Sequence, residues 1–191
     1  MERAVFLDRD GTIIEHVDYV YDRSQVKLIP RASEAIRLLN ESGFKVIIIT
    51  NQPGVARGYF TEETVREINN YIHECLAKEG ARIDEAYYCP HHAEGTIEEY
   101  AKECDCRKPK PGMIERASHE LSIDLEDSFV IGDRNIDVEA GDRAGCKTIL
   151  LTGKDPLNHE EEITTIADYV APDLYEAVEW LIEFSNKHRE V

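Results

Sequence analysis

Four short apolar runs punctuate the chain: Ala4 to Leu7, Lys45 to Thr50, Phe129 to Gly132 and Lys147 to Leu151. Together they are rich in Val and Ile and apolar at successive positions, as in strands covered on both faces. Between them, apolar residues recur at helical spacing. Ala32, Ala35, Ile36 and Leu39 share one helical face, and Gly43 stops that helix. Val65, Ile68, Ile72 and Leu76 share another, with Gly80 as the stop. A last helix begins after Pro172, with Asp173 as its N-cap. Its core stripe is Leu174, Ala177, Val178, Leu181 and Ile182, and Trp180 and Phe184 read as packing residues.

Strands alternating with helices predict an α/β fold: a doubly wound parallel sheet with helices on both faces. No repeat, low-complexity tract or linker interrupts the pattern, so residues 1–191 are expected to form one domain. Sheets of this kind bind ligands beyond the carboxyl ends of their strands. The polar residues at those ends are therefore the candidates: Asp8, Thr50 with Asn51, and Asp133. His16 to Pro30 is long for a strand-to-helix link and predicts a small flap. Cys89 to Lys110 is a long irregular insertion that needs a stabiliser of its own.

Charge narrows the partners. With 22 Lys and Arg against 39 Asp and Glu, the net charge is −17. Such a chain repels nucleic acid and anionic membranes, and neither is an expected partner. No apolar stretch approaches the roughly 20 residues of a membrane span. No signal-peptide pattern precedes the first strand, so a cytoplasmic monomer is expected. An acidic body also repels small phosphorylated molecules unless cations gather locally. Arg9, Arg57, Arg107, Lys108, Lys110 and Arg134 all fall within the motifs that follow.

Asp8-Arg9-Asp10-Gly11-Thr12 follows the first strand directly. An isolated Asp-x-Asp-Gly is more often an acidic turn than a site. Here it has company. Asp8 can attack phosphorus as a carboxylate nucleophile. Asp10, two residues on, can protonate the leaving alcohol and then activate water. Thr50 and Asn51 offer a hydroxyl and an amide to phosphate oxygens, and Lys108 offers a fixed positive charge. Asp133 adds a third carboxylate at a strand end. Three carboxylates would repel one another and the phosphate, and Mg²⁺ is the usual remedy beside a phosphate. Asp137 reads as a brace at the start of the next helix.

The five cysteines are Cys75, Cys89, Cys104, Cys106 and Cys146. An odd count in a reducing compartment argues against a disulfide framework. Cys89, His91, Cys104 and Cys106 offer three sulfurs and an imidazole, a closed structural zinc set for a loop at about 89–106. His91 is preferred to His92 because its one-residue gap mirrors the second pair. Cys75 and Cys146 are expected in the core. The zinc-stapled loop runs straight into Arg107 and Lys108 and is expected to position both. Arg107 could then clamp a second phosphate through its planar fork.

In order and placement, these elements resemble the haloacid dehalogenase (HAD) superfamily of phosphatases over nearly the whole chain. The resemblance implies a HAD-like Rossmannoid fold, Asp8 as nucleophile, Asp10 as acid/base, and Thr50 and Lys108 as stabilisers of the phosphoryl group. It implies Mg²⁺ held by the Asp8 carboxylate, the Asp10 backbone carbonyl and Asp133. No segment is long enough for a large cap domain, so a small, open substrate is expected. The runs Phe6 to Thr12, Thr50 to Gln52, Gly54 to Gly58, Cys89 to His92 and Cys104 to Pro109 look like the heptose-bisphosphate phosphatases of the histidinol-phosphatase-like subgroup. That narrower resemblance implies removal of the C7 phosphate of a heptose 1,7-bisphosphate in nucleotide-activated heptose synthesis, which feeds lipopolysaccharide core or S-layer sugars. The alternative is a histidinol-phosphate phosphatase or another phosphatase of a small phosphorylated metabolite. The twelve residues from His92 to Glu103 make the longer, heptose-type loop. By the family pattern His16, Val17, Asp18, Tyr19, Asn51, Gln52, Pro53, Arg107 and Arg134 line the substrate. Pro53, Ala93 and Arg134 depart from the residues usual in that pattern.

Overall fold

The structure, a computed structural model, describes residues 1–153 and 164–189. Six strands form one parallel sheet: β1 (Ala4–Leu7), β2 (Lys45–Asn51), β3 (Glu85–Cys89), β4 (Phe129–Gly132), β5 (Lys147–Leu151) and β6 (Tyr169–Ala171). The helices are α1 (Ala32–Glu41), α2 (Glu62–Lys78), α3 (Gly112–Leu121), α4 (Asn135–Ala144) and α5 (Leu174–Arg189). The strand order is β3-β2-β1-β4-β5-β6. The chain winds outward from β1 on one side, returns, and winds outward again from β4. The crevice between these halves opens at the carboxyl ends of β1 and β4.

β1 and β4, the two central strands, are buried at every position because both faces are covered. Val5, Leu7, Val46, Ile48, Phe129, Ile131 and Ile149 belong to a core shared with α1, α2 and α5. Ala4, Phe6, Ile47, Ile49 and Val130 belong to a second core with Met113, Ile114 and Ala117 of α3 and Ala140 of α4. The four strands and three helices expected from the pattern are present. Asp173 caps α5, its carboxylate accepting from Glu176 N at 3.0 Å. Thr61 caps α2 in the same way, accepting from Thr64 N at 3.3 Å. Cys146 is buried as expected, but Cys75 on α2 is only half-buried.

The periodicity did not predict β3 and β6, for a physical reason. Both are edge strands, so neither has to be apolar throughout: Glu85 is exposed in β3 and Val170 in β6. Their register comes from a polar side chain just before each strand. Asp84 accepts Val46 N at 2.9 Å. Asp168 accepts Thr148 N at 2.7 Å and Thr148 Oγ1 at 3.1 Å. Ser128 does the same for β4, accepting Ala4 N at 3.0 Å. In each case the N–H belongs to the residue just before the first paired position of the neighbouring strand.

Thr148 is fully buried; its N–H relies on Asp168, and its hydroxyl is shared between Asp168 and Asp142. Asp168→Ala is expected to cost about 1–3 kcal/mol, the penalty of orphaning a buried donor. Asp168→Asn, which keeps an acceptor, should cost less. Urea denaturation of the two variants checks the ranking.

Candidate active site

The catalytic candidates converge at the carboxyl ends of β1, β2 and β4. Lys108 is their hub. Its ammonium is buried and donates to Asp8 Oδ1 at 2.5 Å, Asp137 Oδ1 at 2.6 Å and the Ile49 carbonyl at 2.9 Å. Burial alone would lower the pKa of Lys108. The adjacent Asp137 and Asp8 charges outweigh burial and hold it above the ordinary lysine value. Its backbone is fixed too. Asn51 Oδ1 accepts Lys108 N, and Asn51 Nδ2 donates to Lys108 O, both at 3.0 Å. Asn51 lines the cavity as the family pattern implied, yet its amide is engaged by the Lys108 backbone.

Asp137 is more than a first-turn acid. It is 1% exposed, and its second oxygen accepts Arg134 N at 3.1 Å, closing the start of α4. It approaches β4 so closely that a Cβ on Gly132 would fall 2.3 Å from its carboxylate carbon. Only glycine at position 132 leaves room for the Lys108–Asp137 pair.

Asp8, Asp133 and Asp137 bring carboxylate oxygens within 4.8 Å of one another. Burial raises Asp133 to about 8, helped by the Asp8 and Asp137 charges. Burial also raises Asp8, to about 7, against the pull of Lys108. Three carboxylates thus face one ammonium, and an all-oxygen set with excess negative charge fits a hard divalent cation. Both oxygens of Asp137 are engaged, by Lys108 and Arg134 N, whereas Lys108 takes one oxygen of Asp8, so Asp8 and Asp133 suit the cation better than Asp137 does.

Asp10 sits differently. Arg9 grips both of its oxygens, Nε to Oδ2 at 3.0 Å and Nη2 to Oδ1 at 3.1 Å. Gln52 Nε2 bridges Asp10 Oδ2 at 3.0 Å and Thr50 Oγ1 at 2.8 Å. Arg9 also lines this site but is 1% exposed, and its guanidinium is engaged by Asp10 and Asn69. Gln52 is buried as well, and its amide nitrogen serves the catalytic pair.

Around these residues lies a cavity of about 150 Å³. Its lining includes Asp8, Asp10, Thr50 and Lys108, and every residue expected at the substrate: His16, Val17, Asp18, Tyr19, Asn51, Gln52, Pro53, Arg107 and Arg134. His16 Nδ1 is buried without a hydrogen-bond partner. The flap is tethered by Tyr19, whose hydroxyl accepts from Arg57 and whose ring meets Tyr59 edge-on at 4.8 Å. Larger hollows lie elsewhere, one of them near Met1 and Lys147 at the opposite ends of the strands, away from these carboxylates.

The cysteine cluster closes the other end of the loop. Cys89, Cys104 and Cys106 bring their sulfurs to 3.1–3.5 Å of one another, and His91 Nδ1 stands 3.3 Å from Cys106 and 3.8 Å from Cys89. A tetrahedral zinc with arms of ~2.3 Å has edges of about 3.8 Å, close to this set. Hydrogen bonding from Cys89 pushes Cys106 down to about 5, while Cys89, bonded to Cys106, and the partly buried Cys104 are pushed up, so one sulfur of the metal-free cluster takes the thiolate form that binds metal. His92 stands outside, its Nδ1 accepting Glu94 N. Arg107 Nη1 donates to the His91 carbonyl at 3.2 Å, which ties that side chain to the cluster.

A parallel sheet with this aspartate pair, lysine and acidic strand end defines a phosphoryl-transfer enzyme of the HAD class. A HAD-hydrolase-like family model matches residues 105–177. The D-glycero-D-manno-heptose-1,7-bisphosphate 7-phosphatase of Chlorobaculum tepidum is 45% identical over 183 residues, 92% of each chain. The enzyme named D-glycero-beta-D-manno-heptose-1,7-bisphosphate 7-phosphatase in Escherichia coli K12 is 40% identical, over 90% of this chain and 89% of its own. A crystal structure of D,D-heptose 1,7-bisphosphate phosphatase from B. bronchiseptica, complexed with magnesium and phosphate, superposes with a TM-score of 0.83. It is 29% identical and covers 95% of this chain and 99% of its own. The chain belongs to the heptose-bisphosphate phosphatase family of HAD phosphatases.

The raised values of Asp8 and Asp133 have a signed consequence. Both lie above the ~4 of a free carboxyl, so the folded, metal-free protein holds protons that the unfolded chain has lost. That stabilisation is complete below about pH 4 and is lost as pH rises through about 7 and 8. The melting temperature of metal-free protein is expected to fall between pH 6 and pH 9. Added Mg²⁺ should restore more at pH 9 than at pH 6, because protons no longer compete. Differential scanning fluorimetry with and without Mg²⁺ measures both; an equal Mg²⁺ effect at the two pH values would contradict the assignment.

Proposed function

We propose that this phosphatase removes the C7 phosphate of D-glycero-D-manno-heptose 1,7-bisphosphate through an aspartyl-phosphate on Asp8. One arrangement carries the reading: Asp8, Asp10, Thr50 and Lys108 share a cavity with the Arg107 guanidinium. Arg107 has no carboxylate partner among the described residues, which suits it to the second phosphate of a bisphosphate. The names of the relatives support the same substrate.

Asp8 attacks phosphorus, and the bond to the C7 oxygen breaks as the bond to Asp8 forms. Asp10 delivers its proton to the departing C7 oxygen. Then Asp10, now a carboxylate, takes a proton from water, whose oxygen attacks the phosphoryl group. The Asp8–phosphorus bond breaks, freeing inorganic phosphate and regenerating both aspartates. Lys108 supplies fixed positive charge beside Asp8 throughout, and Thr50 offers its hydroxyl to the phosphoryl group. The Asp8 and Asp133 carboxylates and the Asp10 backbone carbonyl would hold Mg²⁺, supported by the magnesium-bound relative. Magnesium, when bound, neutralises charge on the nucleophile and the transferring group. Cys89, His91, Cys104 and Cys106 would hold a structural zinc that orders the loop leading to Arg107.

Comparing kcat/KM for the heptose bisphosphate and for histidinol phosphate tests the substrate. The bisphosphate should be the better by at least about tenfold, the worth of one charge-assisted pair. Asp8→Asn should lower kcat for it by at least about 1000-fold while the circular dichroism spectrum is retained. Preference for histidinol phosphate would overturn the substrate, and a substantially active Asp8→Asn would overturn the covalent route.

Protein purified without chelator is expected to carry about one zinc per chain, by analogy with closed four-ligand sites. Cys104→Ser should lower zinc content and melting temperature together, since metal binding here is also folding energy. Plasma emission analysis that finds no zinc in the wild type would exclude the structural site.

A further inference from the structure

Asp10 must place a proton on the leaving oxygen, so its orientation is part of the chemistry. This inference rests on that acid/base reading. The Asp10 carboxylate is held from one side by a guanidinium that never reaches solvent: Arg9 is 1% exposed. Two of its N–H groups fork onto the carboxylate. A third, on Nη1, donates to Asn69 Oδ1 at 3.1 Å. Asn69 lies on α2, sixty residues away in sequence, and is itself 7% exposed. A buried Asn on a helix face otherwise lined with Val65, Ile68, Ile72 and Leu76 has no part in the apolar packing of α2.

We propose that Asn69 and Arg9 are positioning residues that aim Asp10 as the general acid. An Arg side chain has four rotatable bonds, and a fork onto its own neighbour's carboxylate does not by itself fix where that pair points. The Asn69 carbonyl oxygen anchors the far side of the guanidinium to α2, a rigid element. The fork then transmits that position to both carboxylate oxygens. It also distinguishes them. Oδ2 accepts from Arg9 Nε and Gln52 Nε2, with Thr50 Oγ1 at 3.4 Å, whereas Oδ1 accepts from Arg9 Nη2 alone. A carboxylate oxygen offers about two lone-pair sites, so Oδ2 is filled and Oδ1 retains a site for the proton. The proton passed to the leaving oxygen is therefore carried on Oδ1.

The readout is the dependence of kcat/KM on the leaving group. For Asp8 attack, kcat/KM reports steps through the first phosphoryl transfer, where Asp10 acts only as an acid. An alcohol leaving group needs that proton; p-nitrophenolate does not. Phosphate monoesters ranging from p-nitrophenyl phosphate to a primary alkyl phosphate make the series, which does not depend on the identity of the natural sugar. Asn69→Leu removes the acceptor at similar volume, and Asn69→Ala is the second variant should the first not fold. The alkyl ester is expected to lose on the order of 10- to 100-fold in kcat/KM relative to the aryl ester, the scale of misplaced acid catalysis. The slope against leaving-group pKa should steepen toward that of Asp10→Asn. Asn69→Asp, which retains an acceptor for Nη1, should restore the wild-type slope. Parallel losses across the series, or an unchanged slope in folded Asn69→Ala, would overturn the proposal. Failure of the enzyme to act on heptose bisphosphate would leave this slope unaffected and would bear on the substrate alone.

Discussion

The site depends on one buried ammonium. Lys108 meets the carboxylates of Asp8 and Asp137 and the Ile49 carbonyl with no water between, at the point where three strand ends converge. Removing one partner of such a cluster leaves a charge buried without compensation, which is far costlier than forming the cluster was. Much of the neighbourhood follows from this. Gly132 is glycine so that Asp137 can approach. Asn51 uses its amide on the Lys108 backbone. The remaining negative charge, on Asp8 and Asp133, suits the pocket to a cation.

The loop that carries the cysteine cluster serves the same end from outside. It is bound to the sheet by Gln52 N to Cys89 O at 2.8 Å and to the loop after β2 by Thr96 N and Ile97 N to Ala56 O. Glu62, at the start of α2, accepts from Tyr88 at 2.5 Å and Tyr100 at 2.8 Å, joining the helix to β3 and the loop. A chain segment with no helix or strand of its own is thereby held by hydrogen bonds, beside a Cys/His cluster suited to a metal, where a hydrophobic core would otherwise be needed. Arg107 and Lys108, which follow it directly, inherit that fixed position.

Much of this was legible in the chain. The aspartate pair, Lys108, Asp133 and the cluster of Cys89, His91, Cys104 and Cys106 are all polar residues in places where an α/β pattern wants something else, and polarity out of place is a strong signal. Edge strands gave no such signal, because β3 and β6 are bounded by capping carboxylates rather than by apolar runs. The role of Arg9 was also invisible. A sequence shows that an arginine sits beside two aspartates but not that its guanidinium is engaged by Asp10 and by Asn69 of another element. Asn69 could not have been found without the fold. Its only mark is a polar residue on an apolar helix face, and its partner lies in another element.

Asp84, Ser128 and Asp168 each lock a strand to its neighbour at the end of the sheet farthest from the carboxylates. Register and chemistry are thus assigned to opposite ends of the same strands. Loops at the reactive end can lengthen, shorten or acquire a metal staple without letting the sheet slip, since a one-residue slip would have to break contacts made elsewhere. A scaffold arranged in this way lets substrate preference drift through loop exchange while Asp8, Asp10 and Lys108 stay aligned. That is a structural basis for diversification by insertion instead of by reshaping the core.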